Sequence, residues 1–432
     1  MNQARHTLTT TVKRLLGILQ AQRSLLQFAS SIALVQASRL LTELITMQVV
    51  SPLLFGYWKL WHLLFVYAPL LQLGIPSGAN RNIPFYRGRG DDATVQRTNG
   101  VTLTTALLGS VLAALLSFGV AWWSARTLDM LAQRWFPWAL ALAVGLRLWL
   151  DSLLALLRSY EYFGSFAAVQ YLLCGSMLAS IALIYRWHLV GLLGVQILAY
   201  SLGSLAALWF LRRHLRLSWD SYLAAELVRL GFPLLLVGLL YALLTTTDRM
   251  LIALLMDSQA VGYYGLAILL FSTLSLLPLI IGQYYYPKIS RCLGSSHSPH
   301  QALALAYQQM RLAAFASLAA ASLVALLLPR LLPQFLPQYQ AGLTAAYALL
   351  PGVVGLSIIG GYANWLNAMR KQGVYLRLQF STLCLNVLFS LSFFALGWEL
   401  VGIALGSSLA YLSYIALLAY ATRRLLKEID PV

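Results

Sequence analysis

Residues 231–256 read GFPLLLVGLLYALLTTTDRMLIALLM. As an α-helix rising about 1.5 Å per residue, this stretch would extend for about 39 Å, more than the roughly 30 Å of a bilayer's hydrocarbon core. Asp248 and Arg249 are the charged residues in it. It reads as a transmembrane helix, and the chain repeats the pattern. Twelve such runs are expected, at 26–50, 57–75, 99–123, 135–157, 166–187, 190–211, 231–256, 262–285, 311–328, 342–366, 376–397 and 400–420. The expected fold class is therefore an all-α polytopic membrane protein.

Composition agrees. Hydrophobic residues make up 60% of the 432 residues and charged residues 10%, against about 25% charged in soluble proteins. So few charges could not cover the apolar surface of an aqueous fold this large. Two flanking stretches read differently. Over Thr7–Arg23, leucines and Val12 recur at helical spacing with Lys13, Arg14 and Arg23 on other faces, as expected of an amphipathic helix on an anionic leaflet. A second such stretch, Arg212–Arg229, joins the sixth span to the seventh. No cleavable signal peptide is expected, because the first apolar run is too long for one and no small-residue cleavage site follows it.

The net charge of +17 has an address. The N-terminus, the even-to-odd loops and the C-terminus hold 22 basic and 7 acidic residues; the opposite loops hold 5 and 3, and the spans 3 and 3. The positive-inside rule then puts both termini in the cytoplasm. Trp58, Trp61, Trp122, Trp123, Trp135, Trp138, Trp187 and Trp398 gather near the expected outer ends, as an aromatic belt would. The basic excess thus reports topology, and no nucleic-acid partner is expected.

Several chemistries are excluded. Cys174, Cys292 and Cys384 are far apart and form no CxxC pair, and the six histidines form no HxxxH or HExxH set, so no metal site is expected. No Walker loop, GxGxxG or GxSxG occurs. The expectation is a protein that is not an enzyme and carries no cofactor, with coupling to H+ or Na+ left open. The outer loops are short, at most about a dozen residues, which argues against a membrane glycosyltransferase or polymerase.

Two halves are visible. Leu189–Tyr200 and Leu400–Tyr411 share six of twelve positions at an offset of 211. Phe55-Gly56-Tyr57 answers Val261-Gly262-Tyr263 at an offset of 206. Six spans per half gives parallel repeats. The expected organisation is an interfacial helix over 1–25, an N-lobe over 26–215, a linker over 216–230, a C-lobe over 231–422 and a tail over 423–432.

Gly231-Phe232-Pro233, Thr247-Asp248-Arg249 and Val261-Gly262-Tyr263-Tyr264 form a "G-hydrophobic-P … D-R … G-x-Y" run. Leu54-Phe55-Gly56-Tyr57, Leu73-Gly74-Ile75 with Asn80-Arg81, Phe335–Tyr339 and Asn367-Ala368-Met369-Arg370 accompany it. In these motifs the chain resembles the polysaccharide-transporter family, the Wzx-type lipid-linked oligosaccharide flippases of the multidrug/oligosaccharidyl-lipid/polysaccharide exporter superfamily. One departure is Pro337, where the family tends to show glycine. The resemblance implies two six-helix lobes in a V around a cavity lined by the first, second, seventh and eighth spans. It implies a polyprenyl-diphosphate-linked oligosaccharide as cargo, a bacterial inner-membrane location, and polysaccharide polymerase and other assembly proteins as partners beside the membrane lipids.

Polar residues inside the spans are costly and mark function or helix contacts. Arg39 and Glu43 are spaced i,i+4, as are Arg147 and Asp151. Arg39, Arg249 and Arg81 are the candidates for the diphosphate, because a guanidinium fork binds phosphate oxygens bidentately. Tyr241, Thr245, Asn364 and Asn367 are the candidates for sugar contacts. Glu43 and Asp248 are the candidates for ion coupling, and Arg147–Asp151 reads as a structural pair. Pro69, Pro233 and Pro278 are expected to bend the second, seventh and eighth spans. A cation-coupled drug exporter of the same superfamily is the alternative, although unpaired acids would suit cationic drugs better than the Arg-accompanied acids seen here.

Overall fold

The structure is a computed structural model describing residues 27, 30–127, 135–296, 298–369 and 371–429. The interfacial helix expected over 1–25 lies outside these residues, as does Arg370. Among the described residues all regular secondary structure is helical, with no strand.

The elements are α1 (30–49), α2 (Pro52–Tyr67), a 3-10 turn (Ala68–Gln72), α3 (Ile75–Gly88), α4 (Asp92–Thr127), α5 (Phe136–Ser159), α6 (Phe163–Leu211) and α7 (Ser221–Leu255). Then come α8 (Ser258–Leu274), α9 (Leu276–Ser296), α10 (Pro299–Phe335), a 3-10 turn (Pro337–Gly342), α11 (Leu343–Ala368), α12 (Gln372–Phe393) and α13 (Glu399–Ile429). Among the described residues, eight helical stretches are long and apolar enough to cross a membrane, or nine with the bent pair α2/α3. Two of the eight contain sharp breaks. His188 divides α6 into 163–187 and 189–211, and a π-helical turn (Phe394–Trp398) separates α12 from α13. With α1, each of the twelve expected spans has a helix to fall on. α7 starts at Ser221, so the second amphipathic stretch is partly the non-helical 212–220 and partly the first turns of α7.

One of the three expected bends, that at Pro69, is a sharp one. Pro69 lies in the 3-10 turn, and α2 and α3 diverge by 54° there. Pro278 sits in the first turn of α9, just past the break at Ser275, and Pro233 lies inside α7.

The chain divides into two compact units. Unit 1 comprises the described residues up to Ile45 and Leu64–Leu235; unit 2 comprises Thr46–Leu63 and the described residues from Leu236 onward. The core of unit 1 is built from α3, α4, α5 and α6, around Ile83, Leu103, Leu150, Leu153, Leu157 and Tyr200. The first turns of α7 dock here through Leu223, Ala224 and Leu227, against Ile75 and Val101. Gly231 makes that docking close: a Cβ on it would stand 2.0 Å from the carbonyl oxygen of Gly74.

Unit 2 is packed differently. Its largest fully buried side chains include Trp365, Tyr264, Tyr339, Tyr411 and Phe55. Helix α12 buries Tyr375, Gln379, Thr382, Asn386 and Ser390 and exposes Phe380 and Leu388. In lipid this inversion is expected, since tails solvate leucine as well as a core does, and polar groups find partners only on other helices. Asn386 Nδ2 donates to the Leu244 carbonyl and to Ser407 Oγ, both at 3.5 Å. Ser390 Oγ donates to the Ile403 carbonyl.

Candidate functional site

Each unit carries a cluster of intramembrane charges. In unit 1, Arg147 Nε donates to Asp151 Oδ2 at 2.8 Å, one turn along α5. The guanidinium also lies over the Tyr200 ring of α6, 5.4 Å from its centroid. Arg39 of α1 joins them, with Arg147, Tyr200 and Asp151 as its electrostatic neighbours. Three helices thus bring these groups together. Arg158 feels the same carboxylate. Sequence spacing identified the Arg147–Asp151 pair but set Arg39 beside Glu43 alone. Here Glu43 is half-buried one turn beyond Arg39.

Asp151 also has an open side. Its side chain is 40% exposed, against 22% for Arg147. It lines a cavity of about 170 Å³ within unit 1, together with Gln72, Gly74, Ser77, Asn80 and Arg158. The cavity opens at the α2/α3 break, where Leu73 and Gly74 have φ of 50° and 80°. Such irregular backbone in a membrane segment is tolerated where it is buried in protein or lines a wet cavity. Gln72 and Arg158 were not among the residues singled out from the sequence, and Asn80 entered only through the Asn80-Arg81 motif. The signal available was the Pro69 … Leu73-Gly74-Ile75-Pro76 run, which reads as a helix breaker followed by a restart.

In unit 2, Asp248 is 4% exposed. Tyr264 Oη donates to its Oδ2 at 2.7 Å, and the Arg249 backbone N–H donates to its Oδ1 at 2.8 Å. The preceding turn is held by Tyr411, whose hydroxyl donates to the Leu244 carbonyl at 3.1 Å. Arg249 is 9% exposed, and its Nε makes no hydrogen bond. A buried guanidinium N–H without an acceptor is costly, and an incoming anion would relieve it.

The remaining candidates are dispersed. Arg81 is exposed on α3. Tyr241 is 42% exposed on α7, and the Thr245 hydroxyl donates back to the Tyr241 carbonyl. Asn364 Nδ2 donates to the Gly282 carbonyl and to Gln309 Oε1, tying α11 to α9 and α10. Asn367 is half-buried in the last turn of α11. Among the described residues, no group of three or more His, Cys, Asp or Glu is arranged to hold a metal ion.

The fold is shared with transporters of known structure. An inward-facing multidrug resistance MATE family transporter of the MOP superfamily superposes with a TM-score of 0.74 at 14% identity, over 91% of this chain and 96% of that one. A mutant of the Vibrio cholerae MATE transporter VcmN gives 0.67 at 15% identity, over 94% and 96%. The lipid II flippase MurJ, in an inward closed conformation, gives 0.68 at 13% identity, over 92% and 87%. No curated protein sequence matches the chain. The family model described as "Polysaccharide biosynthesis protein" matches residues 89–338, more than half of the chain. The chain is a multi-pass membrane protein belonging to that polysaccharide biosynthesis family.

Proposed function

We propose that the protein is a flippase that moves a polyprenyl-diphosphate-linked oligosaccharide, an O-antigen or related surface-polysaccharide unit, from the cytoplasmic to the outer leaflet of the bacterial inner membrane by alternating access. Both termini are then cytoplasmic. Family membership supplies the polysaccharide context, and the fold is one shared with exporters and a lipid II flippase. The observation that carries the reading is Arg249, buried with an unpartnered Nε beside Asp248. An always-charged fork at membrane depth suits the cargo's diphosphate. Arg39 and Arg81 are the further diphosphate candidates, and Tyr241, Thr245, Asn364 and Asn367 meet sugars. Asp248 and Glu43 couple translocation to an ion gradient, H+ or Na+. Membrane lipids hold the polyprenyl tail, and polysaccharide polymerase with other assembly proteins consumes the product.

The test is depletion of the protein in its host, with lipid-linked oligosaccharide followed on each leaflet. Cytoplasmic-facing cargo should accumulate, and Arg249→Ala should fail to complement. Normal surface polysaccharide in a deletion strain without a second copy would end the proposal. A cation-coupled drug exporter is the second reading, favoured by the likeness to MATE transporters; increased drug susceptibility with intact polysaccharide would select it.

A further inference from the structure

The cavity of unit 1 contains groups that the diphosphate does not need. It is bounded by the α2/α3 break, by the first turn of α3 and by one face of α5. At about 170 Å³ it has the size of a single sugar ring rather than of an extended oligosaccharide. Two of its amides are already oriented. Gln72 Nε2 donates to Ser152 Oγ at 2.8 Å, which leaves its Oε1 as an acceptor. Ser159 Oγ donates to Asn80 Oδ1 at 2.7 Å, which leaves Nδ2 as a donor. Ser77 adds a hydroxyl that can do either, and Pro69, Leu148 and Leu235 supply apolar wall.

The charges discriminate further. Asp151 faces this cavity, and its carboxylate would repel a diphosphate, which carries no donor to offer it. Sugar hydroxyls do donate to carboxylates. Arg39, Arg147 and Arg158 all have Asp151 as an electrostatic neighbour, so this group of arginines outnumbers the acid it surrounds. Arg158 lines the cavity itself, while Arg147 is engaged by Asp151. A guanidinium fork of this kind binds a carboxylate bidentately.

We propose that the unit 1 cavity is a subsite for one pyranose ring bearing a carboxylate, with Arg158 receiving the carboxylate and Asp151, Gln72 and Asn80 reading ring hydroxyls. This rests on the flippase reading and narrows its cargo to a repeat unit containing an acidic sugar. Such a subsite sets specificity through the contact between Arg158 and the sugar carboxylate, which a neutral sugar does not make.

The experiment uses the full chain in lipid nanodiscs, with sodium glucuronate as probe, glucose as the neutral control and inorganic pyrophosphate as competitor, read by saturation-transfer NMR. Glucuronate should bind at least about tenfold better than glucose, the difference one charge-assisted contact makes. Arg158→Ala should remove that preference, and Ser77→Trp, which fills the cavity, should abolish binding without touching a charge. Equal binding of the two sugars overturns the proposal, as does displacement by pyrophosphate or a signal that survives both substitutions in correctly folded protein. Translocation of lipid-linked oligosaccharide by the wild-type chain in proteoliposomes is measured in parallel. If translocation occurs without glucuronate preference, the subsite fails and the flippase reading stands; if translocation is absent, the flippase reading fails on its own account.

Discussion

His188 and Glu399 turn the chain in the same way, with φ of 51° and 41° and ψ of −129° and −126°. They are 211 residues apart, the offset at which Leu189–Tyr200 repeats in Leu400–Tyr411. In each half, a helix ends and the next begins with one or a few residues between them. Side chains rarely adopt this backbone region, and holding one there costs on the order of 1–3 kcal/mol. Glycine carries no such penalty. His188→Gly and Glu399→Gly should therefore each raise the melting temperature of the purified protein by one to a few degrees. The effects should add, because the two turns lie in separate units. A fall in both variants would mean that the side chains contribute more than the backbone strain removes.

How far the sequence foretold these features depends on what each required. The spans were legible because membrane depth demands a simple property, some twenty apolar residues. The repeat was legible because its glycines and tyrosines are spaced alike in both halves. The Arg147–Asp151 pair followed from i,i+4 geometry alone. The approach of Arg39 to α5 was hidden, because it depends on which helices pack together, and spacing along one helix carries no such information. The same holds for Asn364. Its amide bridges α9 and α10 through Gly282 and Gln309. The cavity at the α2/α3 break was missed for a related reason: proline and glycine signal a break but not what the opened backbone faces.

The crossing of α2 with α8 has the repeat's other offset built into it. A Cβ on Gly56 would stand 1.7 Å from the carbonyl oxygen of Ser258, and one on Gly262 would stand 1.8 Å from that of Pro52. Both pairs of positions are related by 206 residues, so the two close approaches are reciprocal. Backbone carbonyls cannot swing aside as a side chain can. Gly56→Leu and Gly262→Leu should each force the helices apart and abolish the monodisperse peak in size-exclusion chromatography. Gly238→Leu, at a position with open space around it, should leave the peak unchanged. A normal profile for Gly56→Leu would show that the crossing can relax.

Asp248 and Arg249 separate a structural role from a transport role. Asparagine at 248 keeps an oxygen for the Tyr264 hydroxyl but removes the charge beside buried Arg249. Leaving one charge of a buried pair uncompensated costs about 3–5 kcal/mol, whereas removing both is close to neutral. Asp248→Asn should therefore lower thermal stability, and Asp248→Asn with Arg249→Gln should restore most of it. Neither should translocate cargo under an imposed H+ or Na+ gradient. Full gradient-driven transport by the double variant would remove both residues from the mechanism.

Outside the spans, His214 links stability to pH. Its ring stacks on Tyr160 with centroids 4.2 Å apart, and its Nε2 lies 3.2 Å from the Tyr162 hydroxyl. Arg87 of α3 donates to the Tyr160 carbonyl at 2.9 Å, and Asn99 of α4 donates to the His214 carbonyl. Burial lowers the His214 pKa below its ordinary 6.5, and the positive charges of Arg87 and then Arg213 lower it further. The folded state thus prefers the neutral ring, and between the lowered pKa and 6.5 the unfolded chain binds more protons. Stability from this group is complete above about pH 6.5 and is lost as pH falls through the lowered value. Melting temperature should drop between pH 7.5 and pH 5 in the wild type. In His214→Asn, which does not titrate, the drop should be smaller. An equal drop in both proteins would assign the pH dependence to other groups.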